Sequence, residues 1–311
     1  VGGAGEATPP ASPSIGGGKI RLPRANRFVP RTLELCPELP EEAKLGPRIE
    51  REIDPPNLIV DDRTYGRLWH RLDDRYVLPK SSLTLLIKNP AAECTREDGD
   101  DGGSSGPWTY DPRASMNSQL LTGIFSDAMA QETYDADLAG LHWSLSKSSA
   151  GITLKCGGYS DRLPDLALKL LGAFLRPQGA GGGGDDSGTA AAFLERSHFD
   201  AVRDRTLRRL RSYFVSNRAD SHALYYESLL TSYRGVGIDG INGGEGLAEG
   251  GGEASREEGS LAAAEAATLE SVREQHERLL DNCGGFECLY SGNVSEAEAR
   301  EFFGGACEIL R

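Results

Sequence analysis

Four stretches of this chain are too poor in apolar side chains to enter a core, and they limit what the rest can become. Residues 1–18 (VGGAGEATPPASPSIGGG), 94–108 (CTREDGDDGGSSGPW), 177–192 (PQGAGGGGDDSGTAAA) and 234–262 (RGVGIDGINGGEGLAEGGGEASREEGSLA) are dominated by glycine, proline, serine, alanine and acids. Such segments bury too little surface to offset the entropy lost on ordering. Loops of this length are rare in compact domains except as insertions into an existing fold. The expected organisation is a disordered linker over 1–18 and one domain over 19–311, with low-complexity surface insertions at 94–108, 177–192 and 234–262. The formal charge is −13, and residues 93–101, 176–192 and 234–262 carry −4, −1 and −4 of it. Phosphate binding needs clustered lysine and arginine, so this balance argues against nucleic acid as a partner.

Between the tracts, two periodicities alternate. Leu83, Leu85 and Ile87 alternate with Thr84, Leu86 and Lys88, which predicts a strand. Leu141, Trp143 and Leu145, then Ile152, Leu154 and Cys156, flank the turn Ser148-Ser149-Ala150-Gly151 and predict a hairpin. Phe286, Cys288 and Tyr290 give a late strand ending at Gly292, and residues 65–72 an early one. Helical spacing occurs at Leu120, Leu121, Ile124, Phe125, Ala128 and Met129, and again at Leu163, Leu166, Leu170, Leu171 and Phe174. Three more helices are expected, around Phe199–Phe214, Ala223–Tyr233 and Leu269–Leu279, and Ser295 with Glu298 forms a capping box that opens a last one. Helices grouped around hairpin-linked strands indicate an α+β fold: a two-layer sandwich, mainly antiparallel sheet with helices packed on one face.

The side chains that could carry chemistry are scattered. The five histidines, His70, His142, His198, His222 and His276, lie outside any HExxH or HxxEH, and no two fall within one helical turn, so no helix offers two imidazoles to one zinc. The six cysteines include no CxxC pair, and reduced, mostly buried thiols are expected. Cys283 and Cys288 could form a redox or metal pair, but Cys288 falls on the apolar side of a strand and reads as core. Asp61, Asp62, Asp73 and Asp74 around His70 could form an acid/base group, although charged ends of one short strand explain them better. Arg203, Arg205, Arg208, Arg209 and Arg211 could bind a polyanion; Asp200 and Asp204, within a turn, favour a salt-bridged helix face instead. Gly16-Gly17-Gly18-Lys19 lacks the spacing of a phosphate loop, no nucleophile elbow occurs, and the sequon Asn293-Val294-Ser295 is expected to be accidental. No catalytic, cofactor-binding or metal-ligating residue is therefore assigned, and no cofactor is expected in this chain. No stretch has the length and apolarity of a membrane span, and the start lacks the layout of a signal peptide, so a soluble, cytoplasmic chain is expected, with no membrane partner. Val1 at one end and an apolar-periodic segment running out at Arg311 suggest a piece of a longer polypeptide.

The ordinary residues carry a pattern of their own. Leu68-Trp69 is followed by Asp73-Asp74 and Pro79-Lys80, and Tyr134-Asp135-Ala136 by Leu138-Ala139-Gly140-Leu141 and Gly158-Tyr159-Ser160-Asp161. In order and spacing, these and the segments 22–35, 55–87, 126–171, 199–230 and 286–299 resemble the middle, third domain of the zinc metallopeptidases that include insulin-degrading enzyme, nardilysin and pitrilysin. The resemblance implies four related domains closing in two halves around a chamber, with HxxEH and zinc held by the first domain. This chain would then be a non-catalytic wall of that chamber, with the other domains and enclosed peptide substrates as its partners. An inactive peptide-binding or protein-interaction paralogue is the alternative. Gly140 is expected to permit a close helix-to-strand crossing, Gly158 a tight turn, and Ser160 to cap the helix after it.

Overall fold

The alternation in SSLTLLI does become a central strand, with Leu83, Leu85 and Ile87 all buried. The computed structural model describes residues 25–43, 54–96, 108–176, 193–215 and 254–310. Within them the order is β1 (Asn57–Asp62), β2 (Gly66–Leu72), β3 (Lys80–Lys88), β4 (Cys94–Arg96), β5 (Trp108–Tyr110), α1 (Pro112–Glu132), α2 (Tyr134–Leu138), β6 (His142–Ser148) and β7 (Gly151–Tyr159). There follow α3 (Leu163–Leu175), α4 (Arg196–Val215), α5 (Ala254–Ala266), α6 (Leu269–Asp281), β8 (Phe286–Gly292) and α7 (Glu296–Leu310).

Six strands form one sheet in the order β1-β2-β8-β3-β7-β6. All neighbours run antiparallel except β2 and β8, which are parallel. The expected hairpin is β6–β7, closed at Ser148↔Gly151. β8 enters between β2 and β3, and Gly66 makes that possible. Its φ is +108°, and a Cβ there would stand 1.8 Å from the Phe286 carbonyl oxygen.

The helices supply the second layer. α1 starts at Asp111, whose carboxylate accepts from the Arg113 N–H at 2.8 Å with Pro112 in the first turn. Its buried stripe packs on the sheet together with that of α3. Phe125 sits at the centre, edge-to-face with Trp143, Phe174 and Phe193 at 5.9, 5.3 and 5.3 Å. Such pairs each add about 0.5–1.5 kcal/mol beyond the area they bury. α7 packs against β1 and β2, and its capping box forms as expected: Ser295 Oγ accepts from the Glu298 N–H at 3.2 Å while a Glu298 carboxylate oxygen accepts from the Ser295 N–H at 2.8 Å. The architecture is thus the expected α+β sandwich.

Several local expectations change. Residues Cys94–Arg96 pair with Trp108–Tyr110, so the tract at 94–108 begins and ends in a two-stranded ribbon. Residues 254–262 lie in α5, where alanine and glutamate give helix propensity that the glycine-rich sequence before them conceals. Ser160 does not cap α3; its hydroxyl pairs with Ser81 Oγ at 2.7 Å across to β3. Gly158 lies inside β7 rather than in a turn, and a Cβ there would come 2.5 Å from the Gly140 carbonyl oxygen. The helix expected over Ala223–Tyr233, His222, Gly16–Lys19 and the linker over 1–18 all lie outside the described residues. No described helix is long and apolar enough to cross a membrane.

Candidate functional site

The sheet has two unlike faces. Leu68, His70, Leu83, Leu85, Leu154, Cys156, Cys288 and Tyr290 point to the helices and are buried. The opposite face carries no helix among the described residues. Across it the strand register aligns Leu58, Trp69, Leu289, Thr84, Lys155 and Ser144 in one row. Leu58 and Leu289 remain 42% and 37% exposed.

A polar network organises this bare face. Trp69 Nε1 donates to a Glu287 carboxylate oxygen at 2.6 Å, and Lys88 Nζ lies 2.5 Å from the other. Burial pushes the Glu287 carboxyl up, but the hydrogen bonds from Lys88 and Trp69, with the charges of Lys88 and Arg67, outweigh it and hold the group below its ordinary value. Arg67 in turn pairs with Asp61 at 3.0 Å.

As the charged ends of one short strand lead one to expect, no acid/base group is assembled around His70. Asp61 and Asp62 stand at one end of β2, Asp73 and Asp74 at the other, about 20 Å apart for a seven-residue strand. Asp62 accepts from the N–H groups of Tyr65 and Thr64, which lower its pKa and fix the β1–β2 turn, and Asp73 Oδ1 accepts from the Arg75 N–H at 3.1 Å beyond the other end of β2. His70 is buried with Nε2 2.9 Å from the Val294 carbonyl oxygen.

The other described histidines are equally dispersed. His276 is 2% exposed, its Nε2 2.8 Å from the Phe174 carbonyl oxygen and its ring edge-on to Phe174 and Phe193. His198 Nδ1 faces Asp127 at 3.4 Å, and His142 lies exposed on the edge strand β6. Among the described residues no three His, Cys, Asp or Glu side chains converge where they could hold a metal ion.

The remaining candidates take structural roles. Arg205, Arg208 and Arg211 pair with Asp127, Asp204 and Glu265, while Arg203 donates to the carbonyl oxygens of Ala264 and Glu265 at the end of α5. Cys36, Cys156, Cys288 and Cys307 are buried, and Cys94 and Cys283 half-buried. Burial pushes the Cys156 thiol up to about 12 and raises those of Cys288, Cys283 and Cys94. Thiols so placed are poor nucleophiles. Asn293 is buried, accepting from the Cys36 N–H at 2.6 Å and donating to the Glu34 carbonyl at 2.9 Å, so this side chain is committed to holding the 25–43 segment rather than a glycan.

A family profile described as the middle or third domain of peptidase M16 matches residues 13–98 and 105–236. The chain belongs to this family. Human insulin-degrading enzyme is 25% identical over 213 residues, covering 68% of this chain and 17% of its own. A putative zinc protease of Schizosaccharomyces pombe is 32% identical over 153 residues, covering 49% of this chain and 13% of its own. The fold of this chain is similar to part of crystalline pitrilysin, with a TM-score of 0.58 and 16% identity, over 94% of this chain and 24% of that one. The chain thus spans less than a quarter of each of these three proteins. The bare-face network escaped sequence reasoning because Trp69 and Glu287 are 218 residues apart and meet only through the parallel β2–β8 pairing. Their alternation with the buried Leu68 and Cys288 was the one available signal.

Proposed function

We propose that this chain is a non-catalytic wall of an insulysin-like zinc metallopeptidase, a piece of a longer polypeptide whose zinc is bound by another domain. The observation that carries the reading is the one-sided sheet: helices bury most of one face, while among the described residues the other presents six strands of bare, mostly polar surface suited to bounding a chamber. The buried histidines agree with it, since His70 and His276 each commit Nε2 to a backbone carbonyl oxygen remote in sequence. In this reading the other domains of the enzyme are its partners and enclosed peptides its substrates. Purified chain, saturated with zinc, is expected to leave a panel of quenched fluorescent peptides uncut. Hydrolysis abolished by a chelator would overturn the reading.

A further inference from the structure

The bare face is cationic on a chain whose net charge is −13. Its strand residues include Arg67, Arg71, Lys80, Lys88 and Lys155 against the carboxylates of Asp61 and Glu287. Those two acids are engaged by Arg67 and Lys88. Lys80 lies 5.2 Å over the Tyr159 ring, and Lys155 stands exposed within the row. Next to these cations Leu58, Trp69 and Leu289 form an apolar strip, with Leu86 diagonally beside Leu289.

We propose that this face binds extended peptide segments in which an apolar side chain is flanked by carboxylates. Trp69 and Leu289 receive the apolar group, and Arg71, Lys80 and Lys155 the acids. The inference rests on the wall reading above and names the chemistry that such a wall would recognise. Charge complementarity selects the occupant: an acidic segment is drawn to this face and repelled by the acidic remainder of the molecule. Trp69 is suited to act as the platform, because Glu287 occupies its only donor and fixes the ring, so less freedom is lost when a ligand lands on it. The spacing also fits. Leu289 and Lys155 lie two inter-strand steps apart, about 10 Å, and alternate side chains on one side of an extended peptide are about 7 Å apart, a difference the lysine side chain spans.

The test is fluorescence anisotropy of labelled nonapeptides titrated with the 311-residue chain in EDTA at low ionic strength. A peptide with phenylalanine between pairs of glutamates is expected to bind at least about tenfold more tightly than its serine-for-phenylalanine and lysine-for-glutamate counterparts. The double variant Arg71→Glu with Lys155→Glu is expected to weaken it by a similar factor, as is Trp69→Ser, whereas Trp69→Phe retains most of the binding. Circular dichroism checks that each variant is folded, and the exposed lysine position serves if the tryptophan variants fail. Equal binding of the lysine peptide, or binding unchanged by the double charge reversal, overturns the proposal. Because zinc is removed throughout, chelator-sensitive cleavage seen in the separate peptidase assay would sink the non-catalytic reading alone. Failure of a folded chain to bind would sink only this one.

Discussion

Burying an imidazole between two phenyl rings leaves its charged form without water. His276 is in that position, and burial lowers its pKa below the ordinary 6.5 despite the opposing pull of the Phe174 carbonyl and the Glu277 charge. The unfolded chain therefore takes up the proton first as the pH falls. Stability contributed by the neutral ring is fully present above about 6.5 and declines from there down to the lowered folded value, below which the loss is complete. Thermal melts of the wild type are expected to fall across this window, while His276→Gln, which cannot titrate, is expected to lack that part of the slope. Identical slopes would show that the ring is not held neutral by the fold. In the sequence, the place of His276 on an apolar helical stripe was legible. The carbonyl it meets, 102 residues away, was not, because a periodicity reports a face and not what lies opposite.

Elements with a buried face on one side were the legible ones. β3 and the β6–β7 hairpin could be placed because their apolar side chains alternate with Ser82, Thr84, Ser144 and Ser146 on the bare face. β1 was not foreseen: it is an edge strand with a bulge between Leu58 and Val60, which breaks the alternation, and most of its residues are exposed. The β4–β5 ribbon is only three residues on each side, too short for any period, and its sequence is overshadowed by the acidic glycine tract between. Caps were readable wherever they are built from neighbours in sequence. Ser295 and Glu298 close the start of α7 as their spacing suggests, while Ser160 turns to a distant serine that its local sequence could not announce. Replacing Ser295 with alanine is expected to cost about 1 kcal/mol, read from the midpoint of urea denaturation at constant slope. A change below about 0.3 kcal/mol would mean that the cap is satisfied by water.

At the scale of the whole molecule, the position of β8 matters most. The family match ends at residue 236, yet the strand that joins the two parts of the sheet comes from Phe286–Gly292. Without it β2 and β3 have no common neighbour, and Leu68, Leu83 and Leu85 lose the side of their core that Cys288 and Tyr290 supply. A chain ending before Phe286 is expected to show no cooperative thermal transition in circular dichroism; a sharp melt close to that of the intact chain would mean that the sheet tolerates the gap. That a parallel partner for β2 lies so late was invisible in the sequence, since the alternation in FECLYSG names a strand without naming its neighbours. The same arrangement sets the timing of biosynthesis. As the polypeptide leaves the ribosome, β2 and β3 each keep one flank unmatched until Phe286 follows them out, even after β1 and β7 have paired with their other flanks. Throughout that interval of elongation, two open strand edges are available to a chaperone or to a mispairing nascent neighbour.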